Sequence, residues 1–455
     1  MPKKKTALTI EERLQQALVP AEEQPYEVPA NWVWVRLGAI AEIVTGGTPS
    51  KKHPEYYGGN FPFYKPSDLD QGRLTYDASE YLSEEGKKVS RIIPKNSTAV
   101  CCIGSIGKCG YLMCEGTTNQ QINSAIPKIN SLCMYYYLCT ENFVQNLLSM
   151  ASATTIAIVN KSKMESCAFP LPPLSEQQRI VERIEELFAK LDEAKERLQE
   201  VADSFAVRKA AILHKAFTGE LTKQWRCENG VSDESWEEKT LGEVCSVNPR
   251  KIDAKNLDDN LEVSFIPMAA VSDVLGEIVN PEVKNLEDVR TGFTNFAEGD
   301  VIFAKITPCM ENGKSAVVGP LLNDIGYGST EFYVLRCKEE LYNKYLYHMV
   351  RNTTFRAEAK AVMTGAVGQQ RVPKTFLQEY QLSLPTLPEQ HEIVRLIDDL
   401  LARERKAQQA TEQALASIDL MKKSILARAF RGELGTNKAS EASALELLRQ
   451  VLAEN

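Results

Sequence analysis

The sequence predicts an α+β protein built twice over: two pseudo-symmetric globular segments separated by two long helices that pair antiparallel as a coiled coil. Three observations lead there. Residues 171–221 and 384–434 align without a gap at a constant offset of 213, with about 20 of the 51 columns identical. Within each copy, apolar residues step by three and four, the period of a helix with one narrow buried stripe. The segment before each copy reads as short strands broken by Gly, Pro, Asn and Asp and then a helix, which is an α+β pattern.

Residues 1–31 form a leader. Lys3, Lys4 and Lys5 precede a polar stretch without the apolar core of a secretion signal, and a helix is expected over 10–18. Residues 32–170 are the first globular segment, opened by Trp32-x4-Leu37-Gly38 and carrying a helix around 132–150. Residues 171–221 are the first long helix, introduced by Leu171-Pro172-x-Leu174-x-Glu176-Gln177 and ended by Ala216-Phe217-x-Gly219-Glu220-Leu221. Proline suits a first helical turn, and glycine suits a left-handed cap. Its stripe is Ile180, Ile184, Leu187, Leu191, Ala194, Leu198, Val201 and Phe205.

Residues 222–235 read as a linker, and residues 236–383 are the second globular segment, opened by Trp236-x4-Leu241-Gly242 with a helix around 345–363. The second long helix, within 384–434, repeats both end motifs; its stripe (Ile393, Ile397, Leu400, Glu404, Ala407, Thr411, Ala414, Ile418, Met421, Ile425) is weaker in the middle. Leu174 to Phe217 and Leu387 to Phe430 are both 43 steps, or about 65 Å at 1.5 Å per residue. Equal length and equal ends favour pairing within one chain. Residues 435–455 form a tail whose helix has Leu445, Leu447, Leu448 and Leu452 on one face, expected to pack head to tail on the leader helix.

Of the 455 residues 25% are charged and 43% hydrophobic, an ordinary globular composition. No apolar run approaches the roughly 20 residues of a membrane span, so a cytoplasmic location is expected. A net charge of -8 argues against a uniformly basic nucleic-acid binder. Divided by region, however, residues 32–170 carry +2, residues 171–221 carry -2 and residues 236–383 carry -5. The acidity is concentrated in the second segment. Seven of the 11 cysteines lie between Cys101 and Cys167, without a Cys-x-x-Cys pair or a histidine at finger spacing. They read as reduced, buried apolar side chains and not as a metal site.

Catalytic patterns are missing. Gly107-Lys108 and Gly313-Lys314-Ser315 lack the first glycine of a phosphate loop, whose place is taken by Cys102 and Pro308. No dinucleotide or methyl-donor fingerprint, paired nuclease acids or nucleophile with an adjacent base is found. What remains are polar, basic, Gly-rich loops, whose Arg, Lys, Asn and Gln side chains suit phosphates and base edges. In the first segment the candidate DNA-contact residues are Thr45, Lys51, Lys52, Lys65, Ser105, Lys108, Asn119, Gln120, Gln121 and Asn123. In the second they are Arg250, Lys251, Lys305, Thr307, Asn312, Lys314, Gln369 and Arg371.

Two variable segments, each opened by Trp-x4-Leu-Gly and closed by Leu-Pro-x-Leu-x-Glu-Gln leading into a helix that ends in Phe-x-Gly-Glu-Leu, resemble the specificity subunit of type I DNA restriction-modification systems. The resemblance covers about residues 30–434. It implies two target-recognition domains that read the halves of a split double-stranded DNA site, with the helices as spacer and as the dock for two methyltransferase subunits. It also implies that those subunits methylate adenine with S-adenosylmethionine, and that restriction subunits bring ATP- and Mg-dependent cleavage. This chain itself would carry no catalytic residue, metal or cofactor. The alternative, a coiled-coil scaffold unconnected with DNA, predicts no salt-dependent DNA affinity.

Overall fold

The computed structural model describes residues 9–152, 157–250, 257–366 and 368–454. It divides into two compact units, Met1–Leu198 with Gln413–Asn455, and Gln199–Glu412. Each contains one globular segment and part of each long helix.

The first unit contains β1 (Val33–Arg36), β2 (Ala41–Thr45), β3 (Tyr57–Tyr64), β4 (Glu80–Leu82), β5 (Thr98–Cys101), β6 (Cys109–Tyr111), β7 (Thr117–Thr118), β8 (Ile122–Pro127) and β9 (Ala168–Leu171). One antiparallel sheet runs β2-β8-β5-β6, and a second runs β4-β3-β7 with β3 and β7 parallel. Alternation along β5 and β8 feeds two cores. Val100 and Ala125 face the helices, whereas Ala99, Cys101 and Ile122 face Tyr64, Leu69 and Ile93. β1 pairs with β9, Val33 opposite Leu171, so the segment begins and ends side by side.

The second unit repeats this plan with β10 (Glu237–Thr240), β11 (Cys245–Val247), β12 (Glu262–Ile266), β13 (Glu282–Asn285), β14 (Thr294–Phe296), β15 (Val301–Ala304), β16 (Ser315–Val317), β17 (Gly326–Gly328), β18 (Phe332–Cys337) and β19 (Gln381–Leu384). The order β11-β18-β15-β16 matches β2-β8-β5-β6, β12 lies parallel to β17 as β3 does to β7, and β10 pairs with β19. The diverged repeat inferred from two Trp-x4-Leu-Gly motifs is thus one topology used twice.

The long helices span Leu174–Phe217 and Leu387–Ala429. Within the first unit Asp192 meets Lys422 (2.5 Å) and Lys195 meets Asp419 (3.8 Å), three residues forward on one helix and three back on the other, hence antiparallel. Within the second, Arg208 bonds Glu404 at 2.9 Å. The expected continuous seam is corrected. Ile180, Ile184 and Phe205 are buried, but Ala194 is exposed and Val201 is 40% exposed. The helices sink into domain cores toward their ends, and small or polar side chains leave the middle thinly covered.

Three further expectations change. The helix around 132–150 is two, Ser131–Leu138 and Glu141–Met150, because the Thr140 hydroxyl accepts the Phe143 amide and restarts the chain. Asn352 does the same between Asn343–Arg351 and Thr353–Ala361. The linker is structural: Lys223–Asn229 is helical, closed by left-handed Gly230 (φ 63°), and buries Arg226. The leader and tail helices, Ile10–Ala17 and Ala444–Ala453, do pack together, with Leu14, Ala17, Leu448 and Leu452 in one core. Among the described residues no helix is long and apolar enough to cross a membrane.

The repeated Glu-Gln dipeptide is a clasp. Glu176, fully buried, accepts hydrogen bonds from Trp32 Nε1 (2.7 Å), Asn437 Nδ2 (2.8 Å) and Thr436 Oγ1 (3.1 Å). Glu389, also fully buried, accepts from Trp236 Nε1 (3.1 Å), Thr222 Oγ1 (2.7 Å) and Arg226 Nη1 (2.7 Å). Gln177 and Gln390 accept the amides of Asn130 and Tyr342 and donate to Pro172 and Pro385. Each clasp ties the opening tryptophan to the start of the long helix and to the chain beyond a helix end. Trp32→Phe, which keeps an aromatic side chain but removes the indole N–H together with part of the ring volume, is expected to cost at least the roughly 1–3 kcal/mol of leaving the buried acceptor short of a donor, read as a lowered thermal midpoint; an unchanged midpoint would contradict the role given to the indole.

Candidate nucleic-acid interface

Strand register decides where the polar loops go. In the first unit Thr45 lies opposite Asn123, Cys101 opposite Ile122 and Val100 opposite Cys109. The stretches 46–53, 102–108 and 117–121 therefore leave from one end of the β2-β8-β5-β6 sheet. In the second unit Val247 lies opposite Leu335, Ala304 opposite Phe332 and Phe303 opposite Ser315. Residues 248–250, 305–314 and 329–331 leave from the corresponding end, joined there by the 364–371 loop through bridges of Arg371 with Ile306 and Thr364.

Gly46 lets two of these loops meet, since a Cβ there would collide with the carbonyls of Thr118 and Asn119. The amides of Gly46 and Gly47 donate to Ile122 and Thr118 (3.0 and 2.8 Å). Thr45 Oγ1 donates to Asn123 Oδ1 (2.7 Å), and Thr48 Oγ1 to Gln120 Oε1 (2.5 Å). Asn123 is 2% exposed and Asn119 8% exposed. Asn119 is bonded to Gln121 through both its amide nitrogen and its oxygen (3.0 Å each). Both asparagines therefore leave the set of contact candidates: their amides are spent inside the domain, fixing the loop. Lys51, Lys52, Ser105 and Gln120 are exposed, and Gln121 is half-buried at the rim. Lys65 pairs with Glu80 (2.8 Å) and Lys108 with Asp70 (2.6 Å).

In the second unit Arg250, Asn312 and Gln369 are exposed, and Lys251 lies outside the described residues. The Lys305 ammonium stands 5.1 Å from the Tyr333 ring centre. Thr307 Oγ1 accepts the Gln370 amide (3.1 Å), which anchors the 364–371 loop. Lys314 turns inward, donating to the Met268 carbonyl (3.1 Å), and is a tie between loops before it is a free cation. Arg371 grips Glu331 through Nε and Nη2 (2.9 and 2.7 Å), and the guanidinium holds the Glu331 carboxyl below the usual carboxylate range.

Two residues at these rims were missed. Arg91, exposed, donates from Nη1 to the Thr45 carbonyl (2.5 Å), and Glu331 is the partner just named. Neither carries a spacing signal, because each reaches its partner only through the fold. Of the seven clustered cysteines Cys101, Cys102, Cys133 and Cys167 are buried, whereas Cys109, Cys114 and Cys139 are half-buried; burial pushes Cys102 up to about 11 and Cys167 up to about 12, which keeps those two thiols protonated. Among the described residues no group of three or more His, Cys, Asp or Glu could hold a metal ion. What the two rims offer is an array of amide, hydroxyl, ammonium and guanidinium groups, chemistry for recognition.

A family model described as the type I restriction modification DNA specificity domain matches residues 29–203 and 233–414. The specificity subunit of the type I restriction enzyme EcoAI of Escherichia coli is 33% identical over 263 residues, 49% of this chain and 44% of that protein. The StySPI specificity subunit of Salmonella potsdam is 23% identical over 452 residues, 94% of this chain and 96% of that one. The chain thus matches less than half the length of the first relative and nearly all of the second. In fold it is similar to the crystal structure of the HsdS subunit from Thermoanaerobacter tengcongensis (TM-score 0.64, 19% identity, covering 90% of this chain and 99% of that one).

Proposed function

Because the chain belongs to the type I restriction-modification DNA specificity family, we propose that it is the subunit that reads a bipartite DNA target, one half-site per globular domain, and directs partner enzymes to it. The observation that carries this reading is that two copies of one topology each send polar loops from the same end of the same sheet. A domain with one rim of donors suits a groove, where phosphate contacts position the protein and base-edge contacts specify the sequence. The acidity of the second domain is no obstacle to this. Its excess acid requires only that the DNA-facing charge be local, on rim cations such as Arg250 and Lys305, with further phosphate affinity supplied by partner subunits.

The chain supplies recognition and no chemistry. Two methyltransferase subunits would bring S-adenosylmethionine and methylate adenine, and restriction subunits would bring ATP and Mg. Methylome sequencing of cells expressing the chain with its methyltransferase partner is expected to give one split motif. Methylation without a motif, or DNA affinity indifferent to salt, would overturn the reading.

The paired helices would set the number of unread base pairs between half-sites, as half-site spacing does in dimeric readers. Inserting one helical turn of four residues near Gln199 is expected to change the spacer and leave both half-site sequences intact. An unchanged spacer in the sequenced motif would end the idea of a helical ruler.

A further inference from the structure

The two domains can be superposed residue by residue at the rim by their backbone bonds alone. In the first, the Cys102 amide donates to the Gln121 carbonyl, the Val159 amide donates to the Cys102 carbonyl, and Ile158 bridges Ile103 and Ser152. In the second, the Lys305 amide donates to the Glu331 carbonyl, the Val372 amide donates to the Lys305 carbonyl, and Arg371 bridges Ile306 and Thr364. Glu331 thus occupies the place of Gln121, and Arg371 that of Ile158, which is 42% exposed. One scaffold position therefore presents glutamine and isoleucine in one domain and a carboxylate and a guanidinium in the other.

The guanidinium is fixed. Of its five N–H donors, Nε and one on Nη2 go to the two Glu331 oxygens (2.9 and 2.7 Å), and one on Nη1 goes to the Gln369 carbonyl (3.1 Å). One N–H on each terminal nitrogen is left, on a side chain 44% exposed. Donors left on both terminal nitrogens of one plane suit O6 and N7 of guanine, which arginine contacts with two parallel hydrogen bonds. The backbone of Arg371 is itself pinned at both bridges, so the side chain starts from a firm base.

We propose that Arg371 reads a guanine in the half-site recognised by the second domain, and that Glu331 is the positioning residue that holds its guanidinium for that contact. This rests on the DNA-reading function proposed above. The first domain has no arginine at the matching place, where Gln121 and Ile158 stand.

The test uses the full chain with its methyltransferase partner. The half-site of the second domain is first identified as the one that changes when residues 236–383 are replaced by those of a relative. Each guanine in it is then replaced, one at a time, by 7-deazaguanine, which lacks the N7 acceptor. One position is expected to lose roughly ten- to a hundredfold in affinity. The Arg371→Ala complex is expected to bind the natural duplex weaker by a similar factor and to be indifferent to that replacement. Glu331→Gln is expected to lower guanine-over-adenine discrimination at that position alone, a selectivity that a general structural defect would not produce. If no guanine of that half-site responds in the natural protein, or if Arg371→Ala keeps the response, the proposal falls whether or not each variant folds. A natural complex without any sequence preference would instead overturn the DNA-reading function itself.

Discussion

Replacing Arg226 by methionine is expected to destabilise the second unit by about 3–5 kcal/mol, the cost of leaving a buried carboxylate without its cation. Glu389 is fully buried, and the Arg226 side chain, 7% exposed, donates to it from Nη1 at 2.7 Å while Nε bonds Asp233 at 3.0 Å. Methionine fills much of the same volume but brings no charge and no donor. Thr222 and Trp236 would then be the remaining donors to a charge placed away from water. Because the chain divides into two compact units, the measurement is a thermal or urea transition resolved by domain and not one global midpoint. The double variant Arg226→Met with Glu389→Gln removes both charges and is expected to recover much of the loss. If it were no more stable than the single variant, charge would not be the reason.

Replacing residues 32–170 with the corresponding segment of a relative is expected to change one half-site of the methylated motif completely and leave the other untouched. The physical ground is local closure. β1 pairs with β9, the segment owns its sheets and most of its core, and it carries Trp32 to the Glu176 that waits on the helix. A graft with these boundaries therefore arrives with its clasp donor and leaves residues 236–383 unchanged. Sequencing of methylated sites decides the matter, and alteration of both half-sites would sink the assignment of one reader per domain.

The architecture was legible because repetition is. An offset of 213 residues with matching end motifs determined two helices of equal length, and the structure begins them at Leu174 and Leu387. The apolar stripe was read too generously: periodicity marks which side faces a partner, but Ala194 and Val201 lie where little covers them. The break at Thr140 was hidden because a capping hydroxyl can sit inside an otherwise helical run. Arg226 looked like part of a linker because its partner, Glu389, is 163 residues away. The rim loops were visible by composition, but composition cannot separate Asn123, whose amide is spent on Thr45, from Gln120 beside it. Glu331 and Arg371 become a pair only once two loops are folded together.

The clasp at Glu176 also sets an order of events during synthesis. Its donors Thr436 and Asn437 lie some 260 residues later in the chain, and the core of the first unit contains Leu448 and Leu452. The second unit, Gln199–Glu412, is one unbroken stretch, and the donors of its Glu389 clasp, Thr222, Arg226 and Trp236, all precede the carboxylate in the chain. At roughly 5 to 20 residues per second, the stretch before Gln199 spends tens of seconds with its clasp open and closes only after the second unit has been made. The most vulnerable period therefore belongs to the stretch before Gln199, and it lasts until residues 436–452 have been made.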